Sequence, residues 1–492
     1  MSTGTLDLST RRGTASTRRH GESGGRDLRQ AVKIRPDTGP TDRRRILAAG
    51  LSALIPGAGQ AVNRRSELAI VFVVPFAVVL LVAGLVAISA PGPKLLATAI
   101  VPRTLQALLT LNLLVLAWRL VALGQAFFDR RFELRPGGLG LVGLAIIVVV
   151  TVLPHLAGQY VGGVAQSSFA RIFDGAVLAA RSDERASTTA PGPNERINVL
   201  LVGLDTGKGR DHALTDSLIV VSVDPVGKSV SMASLPRDLV GVPLGDGRSF
   251  DPKLNSLLSY ATRHPEAFPK GGIRSLEDAV GALLGIPIHY YATIDLGGFI
   301  KMVDAVGGVD VNVGQALDDP RYKDFGVKNG WSVDVGQHHF GGIDALAYAR
   351  IRKSEGQTDF TRQARQQEIL LALRQKVVRG DALLGLPGLI DAVGDTVTTD
   401  LPPELLPDLA VLAGEVPARR IIRVVIRYPL IHPGKPDNPY GAVQVANLDA
   451  IGAMARALFP APGGTPTGWT PKDGKPSLTP ADSPAPSSSP GG

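Results

Sequence analysis

Three long apolar runs occupy the first third of the chain. Residues 68–90 carry no charge and are long enough to cross a bilayer core of ~30 Å as a helix. Residues 95–128 form a second run, interrupted by Arg103 and Arg119. Both arginines are expected near interfaces, where long side chains reach polar headgroups, and Trp118 suits such a position. Residues 139–156 are the third run. The pattern therefore predicts three transmembrane helices within residues 67–160. Residues 46–62 are also apolar, but Pro56, Gly57 and Gly59 break them, so residues 46–66 read as an interfacial or re-entrant segment.

Beyond residue 160 the pattern changes. Residues 161–195 read as a linker, with Pro191 and Pro193 near its end. Residues 197–202 are a short aliphatic run typical of a buried strand. Residues 217–223 and 229–235 flank the turn Asp224-Pro225-Val226-Gly227 and predict a hairpin. Further strands are expected at 290–294, 309–313 and 420–426, and helices at 275–284, 297–306, 360–378, 403–413 and 447–458. Hairpins mixed with crossovers predict an α/β fold: an α/β/α domain over residues 196–459, with a mixed central sheet flanked by helices. From residue 460 onward Pro, Ser, Gly and Thr predominate, which predicts a disordered tail.

Charge sets the orientation. The chain of 492 residues has a formal net charge of +8 and no cysteine, so disulfides and thiolate metal sites are excluded. Residues 1–45 are rich in Arg and poor in apolar residues, and read as a disordered cytoplasmic tail. Arg43, Arg44, Arg45, Arg64 and Arg65 precede the first span, and Arg130, Arg131 and Arg135 lie between the second and third. The other short loop has only Lys94 and Arg103. Basic loops stay inside, so the N-terminus is expected in the cytoplasm and the α/β domain outside, on a multi-pass plasma-membrane protein. A basic tail could also serve as a nucleic-acid arm, but a cytoplasmic tail held inside by its charge is the favoured reading. A domain outside the cytoplasm with no helix-turn-helix signal does not meet DNA, so no nucleic-acid partner is expected.

Four clusters could carry chemistry. Asp205 follows the first strand and Asp216 opens the next; adjacent carboxylates at strand ends suit Mg²⁺ through oxygen, or serve as turn and cap groups. Arg237 and Asp238 follow the hairpin, as a rigid anion contact or a local ion pair, with Lys253 a little further on. The last cluster is Arg350, Arg352, Asp359, Arg362, Arg365 and Gln366. On an extended segment Arg350 and Arg352 point to one face. On a following helix Asp359, Arg362 and Gln366 form one stripe. Such a set suits a pyrophosphate-like anion, or forms a solvated basic face paired to Asp359. His338 and His339 lack ligand spacing and read as surface, and Gly307-Gly308 reads as a helix stop.

In order and spacing these clusters resemble the LytR-CpsA-Psr family. The resemblance rests on Asp205, Asp216 to Pro225, Ser234 to Asp238, Lys253 to Asn255, Val303 to Val311, Gly342 to Arg352 and Asp359 to Gln366. It implies an α/β/α fold with an apolar slot for a polyprenyl chain. It also implies Mg²⁺-dependent transfer of a glycopolymer, such as teichoic acid, capsule or arabinogalactan, from polyprenyl pyrophosphate to peptidoglycan. Carried over, Asp205 and Asp216 would hold the metal. Arg237, Arg350, Arg352 and Arg362 would grip the pyrophosphate, with Lys253 and Gln366 at its edge. Asp238 and Asp359 would orient the arginines. The expected partners are the lipid-linked glycan, peptidoglycan and membrane lipid. The alternative is a non-enzymatic protein that binds polyprenyl-phosphate glycans and scaffolds wall assembly; it would keep the arginines but not need paired metal carboxylates. One departure stands out: the family's pattern places an Arg two residues before the second carboxylate, where this chain has Leu214. Arg210, in the loop with Lys208, is expected to supply the missing charge.

Overall fold

The computed structural model describes residues 41–89, 92–132, 135–173, 190–192, 194–205, 214–379, 394, 396–469 and 476–477. Six helices come first: α1 (Thr41–Leu54), α2 (Ala58–Val62), α3 (Ser66–Ser89), α4 (Gly92–Ile100), α5 (Pro102–Phe127) and α6 (Gly138–Ile172). Of these, α3, α5 and α6 are long and apolar enough to cross a membrane. They leave side chains such as Leu81 and Leu114 exposed, an apolar surface far larger than water tolerates.

The broken apolar segment folds back on itself, as its Pro and Gly residues predict. The chain reverses over residues 55–57, and α2 returns against α1 with Ser52 Oγ donating to Gln60 Oε1 at 2.7 Å. Gly57 makes the reversal at φ 102°, where a Cβ would lie 2.4 Å from the Ala69 carbonyl oxygen. Arg119 finds its partners inside the helical block. Its Nε donates to the Ala53 carbonyl at 3.0 Å, and Nη1 lies 3.0 Å from His155 Nε2. The last carbonyls of α1 lack intrahelical donors, and this guanidinium supplies them.

Three side chains fix which loops share an end of the block. Arg45 Nη1 donates to the Phe127 carbonyl at 2.8 Å and Arg131 Nη1 to the Asn63 carbonyl at 2.9 Å. Asp42 accepts from the Gly137 and Gly140 amides, both at 3.1 Å, at the start of α6. The start of α1, the α2–α3 junction and the α5–α6 loop therefore lie together, and α4 with the end of α6 lies opposite. Two boundaries differ from expectation. Residues 41–45 are the first turn of α1, and α6 continues to Ile172, so the linker begins later. The rest of the basic tail, residues 1–40, lies outside the described residues.

The α/β domain is built on six strands: β1 (Ile197–Asp205), β2 (Leu214–Asp224), β3 (Ser229–Ser234), β4 (Tyr290–Asp295), β5 (Val397–Thr399) and β6 (Ile421–Val425). They form one sheet in the order β5-β4-β1-β2-β3-β6. The β1–β4 and β3–β6 pairs are parallel and the other three antiparallel, so the sheet is mixed. Its helices are α7 (Leu257–Arg263), α8 (Gly272–Leu284), α9 (Leu296–Ala305), α10 (Gly342–Arg350), α11 (Asp359–Arg379), α12 (Leu406–Glu415) and α13 (Leu448–Leu458). Alternation along the strands separates the two cores. Leu200, Val202, Leu218 and Val220 face α8 and α13, whereas Ile219, Val230 and Met232 face α11 and α12. This is the three-layer arrangement expected from the sequence.

One expectation fails at the C-terminal end. The start of the tail packs on the domain: the Gly463 amide donates to Asp224 Oδ2 at 2.9 Å, and Thr467 N to the Ala457 carbonyl at 2.9 Å. The domain therefore extends past residue 459.

On α8, Arg274 bridges two buried carboxylates, Glu277 and Asp400, each at 2.8 Å. Burial pushes the Glu277 carboxyl up to about 8, against the pull of Arg274. Burial pulls Arg274 down, but the two carboxylates outweigh it and hold the guanidinium above its ordinary value. The carboxyl is the group that yields, because a guanidinium keeps its proton. A carboxyl raised on folding stabilises fully below its unfolded pKa of ~4.3, and that contribution is lost as pH rises towards its folded value. Glu277→Gln is therefore expected to melt above the wild type at pH 9 but not at pH 4, by ~2–4 °C per kcal/mol relieved. Thermal melts of the two proteins across that range check it.

Candidate active site

A cavity of about 240 Å³ lies between the sheet and the α9–α11 layer. Leu201 and Ile219 form its sheet side, Phe299 and Met302 of α9 and Ile369 and Leu370 of α11 its helical side. Gly203 keeps one wall thin, since a Cβ there would sit 2.9 Å from Ser217 Cβ. The lining is almost wholly apolar except at one end, where Asp216, Arg350, Arg362 and Gln366 meet. That end is the carboxyl end of β1, where α/β sheets commonly meet ligands.

The polar end is a lattice of charge pairs. Asp359, the first residue of α11, is its hub. Its Oδ1 lies 2.8 Å from Arg362 Nη2, 3.6 Å from Arg352 Nη1 and 4.0 Å from Arg237 Nε. Arg237 also binds the Asp216 carboxylate directly. Arg362 Nη2 donates to the Asp216 carbonyl at 3.3 Å, and Ser217 Oγ donates to Gln366 Oε1 at 3.0 Å. Arg350 Nη2 lies 3.4 Å from Asp205 Oδ2. Burial pulls the Arg237 guanidinium down, but Asp216, Asp238 and Asp359 overcome it and hold its pKa above the ordinary value. Arg362 is only 4% exposed; burial lowers it against the pull of Asp359, and Arg237 and Arg352 add to the lowering. Guanidiniums crowded together and desolvated are poised to gain from a multivalent anion.

Most predicted site residues converge, with three differences. Arg350 is not on an extended segment: it ends α10, and its neighbour Arg352 lies beyond the helix, reaching Asp359 instead of the cavity. The helix ends there because Arg365, buried on α11, donates to the Tyr348 carbonyl at 2.7 Å and also to the Ile351 carbonyl. Arg365 thus sets where Arg350 points, a role its sequence position did not reveal. Asp238 pairs with Lys253 at 2.9 Å and acts on Arg237 only through its charge. Of the predicted site residues only Asp216, Arg350, Arg362 and Gln366 line the cavity; Asp205, Arg237, Arg352 and Asp359 connect to it through charge pairs, and Lys253 and Asp238 lie further out. Sequence reasoning also missed Asp324, whose Oδ2 lies 3.2 Å from Arg350 Nη1 at the solvent side. Leu214 pairs with Asp205 across β1 and β2. Lys208 and Arg210, with the compensation expected of Arg210, lie outside the described residues.

The charges decide whether Mg²⁺ would fit. Among the described residues of this lattice, Arg237, Arg350, Arg352, Arg362 and Lys253 are matched one for one by Asp205, Asp216, Asp238, Asp324 and Asp359, so the lattice itself is formally neutral. A bound diphosphate would leave it negative. Mg²⁺ usually takes one or two carboxylates and completes its shell with phosphate oxygens and water. Asp205 and Asp216 are such a donor pair, and no group of three or more candidate ligands occurs among the described residues. By chemistry the two carboxylates suit the ion, and each is at present engaged by an arginine, Asp205 by Arg350 and Asp216 by Arg237.

Fold and site together define a class: a mixed α/β/α domain beside three membrane-length helices, with an apolar slot that ends in paired arginines. The chain belongs to the LytR_cpsA_psr family, whose model matches residues 174–426. It is 31% identical over 274 residues to the polyisoprenyl-teichoic acid–peptidoglycan teichoic acid transferase TagU of Bacillus mycoides, covering 55% of this chain and 80% of that one. It is 34% identical over 206 residues to the corresponding transferase TagV of Bacillus subtilis, covering 42% and 49%. The crystal structure of B. subtilis TagV aligns with 54% of this chain and 97% of its own at 27% identity and a TM-score of 0.43.

Proposed function

We propose that this protein transfers a glycopolymer from a polyprenyl pyrophosphate carrier to peptidoglycan at the outer face of the plasma membrane. One observation carries the reading: an apolar slot closes on Asp216, Arg350 and Arg362. This is the shape and charge of a site for an isoprenoid tail with a phosphorylated head. The names of the relatives supply the class of polymer and acceptor. The basic residues at one end of the helical block support a cytoplasmic N-terminus, with the domain at the opposite end and therefore outside.

In this reading the tail lies in the slot and the diphosphate meets Arg237, Arg350 and Arg362. An acceptor hydroxyl attacks the phosphorus that carries the glycan. The bridging oxygen leaves with polyprenyl monophosphate, a new phosphodiester joins glycan to wall, and the hydroxyl proton is released. Such transfer depends on positioning and charge neutralisation more than on covalent catalysis. Arginines locked by Asp359 offer their donors without reorganisation at the moment of reaction. Mg²⁺, held by Asp205 and Asp216, would supply a Lewis acid for the phosphoryl oxygens.

The slot gives its own test. Ala292 lines it on β4. Ala292→Phe is expected to occupy the space and raise the KM for a long-chain donor ~10-fold or more, with little effect on a donor whose lipid is only a few carbons long. An equal effect on both donors would detach the slot from the lipid. The function itself is tested by incubating the purified full chain with labelled lipid-linked glycopolymer and peptidoglycan sacculi. Label is expected in the washed wall; label that never leaves the lipid fraction would overturn the reading.

A further inference from the structure

Among the described residues, the ends of α4 and α6 pack on the domain beside the slot. Phe169, Ile172 and Phe173 at the end of α6 form an apolar cluster with Val397 of β5 and Leu406 of α12. Val397 also lines the slot. Beside this cluster, α4 lies along α12, with Lys94 Nζ 3.5 Å from Asp408 Oδ1. Gly394 meets α6 so closely that a Cβ on it would lie 2.9 Å from Ser168 Cβ.

Lengths place this contact relative to the bilayer. α6 has 35 residues, so it is ~52 Å long against a hydrocarbon core of ~30 Å. Its last turns carry Gln166, Ser167, Ser168 and Arg171, which suit headgroups and water. A slot of about 240 Å³ is also smaller than the ~300–1,000 Å³ of ordinary small-ligand pockets. It can enclose only the first isoprene units of a long chain, and the remainder must stay in an apolar phase.

We propose that the outer ends of α4 and α6 are the lipid entrance of the slot: they dock the domain so that the isoprenoid tail runs from the bilayer, along α6 and past Val397, to the arginines. The tail then need not cross water. This rests on the reading of the slot as a polyprenyl site, but the docking is measurable without any transfer.

The chain has no cysteine, so engineered pairs are unambiguous. The double substitution Ser168→Cys with Gly394→Cys puts two Cβ atoms within a small shift of the ~3.8 Å that a disulfide needs. In membrane vesicles of the full chain, mild oxidation is expected to close this bridge, and the bridged protein is expected to keep its transfer rate. Lys94→Cys with Asp408→Cys, joined by a short bis-maleimide, gives a second pair should the first fold poorly. A polyprenyl phosphate with a diazirine a few isoprene units from the phosphate is expected to label the peptide that contains Phe169 and Phe173. Cysteines that react with maleimide but never bridge would overturn the docking. So would transfer lost on bridging and restored by reduction, or diazirine label confined to surfaces away from α6. Bridging and α6 labelling without transfer by any form would leave the docking standing and remove the enzymatic reading instead.

Discussion

Replacing Arg237 or Arg350 with alanine is expected to lower transfer by ~100–1,000-fold while the protein stays folded, the loss seen when one preorganised donor to a developing anion is removed. Both are held for the task. Arg237 is fixed between Asp216 and Asp359, and Arg350 between Asp205 and Asp324. Neither contributes to the apolar cores. Removal does leave a carboxylate without its partner, so lysine variants are the control. Lysine keeps the charge but loses the planar fork, and should fall between wild type and alanine. Transfer rates set against thermal melts of the same preparations separate the two effects. Alanine variants that are folded and nearly as active as wild type would remove these residues from the reaction.

The second large effect concerns the carboxylates. Chelation by EDTA is expected to abolish transfer, and added Mg²⁺ to restore it. Asp216→Asn and Asp205→Asn should each need higher Mg²⁺ for half-maximal rate, with partial rescue in excess. Each substitution also frees an arginine, which would add a loss that metal cannot repair. A shifted Mg²⁺ dependence therefore identifies metal binding, and a lowered rate with an unchanged dependence identifies arginine positioning. Full transfer in EDTA would end the metal proposal.

The sequence revealed more of the scaffold than of the contacts. The β1 run and the β2–β3 hairpin were legible because aliphatic strands bounded by an Asp-Pro-x-Gly turn leave few alternatives. The stripe of Asp359, Arg362 and Gln366 followed from helical spacing alone. Residues 348–352 misled because a short run ending in Arg-Ile-Arg fits strand and helix periods alike. What decides between them is Arg365, reaching back from α11 to the last carbonyls of α10. The strand β5 has only three residues and no pattern to read, yet it borders both the slot and α6. The partners of Arg119 were illegible for a similar reason. Its acceptor is a helix-end carbonyl distant in sequence, and no local signal announces it. Asp359 was recognised as a partner of arginines, but its reach to Arg237 depends on tertiary packing.

The most direct test of the central claim is the identity of the lipid product. Full-length protein is incubated with polyprenyl-pyrophosphate-linked glycopolymer, peptidoglycan and Mg²⁺, and the lipid fraction is resolved by mass spectrometry. Polyprenyl monophosphate is expected to accumulate in step with glycan joined to the wall through a phosphodiester. Lipid-linked glycopolymer that is bound by the protein but recovered intact, with no monophosphate formed, would contradict the account and leave a scaffold in its place.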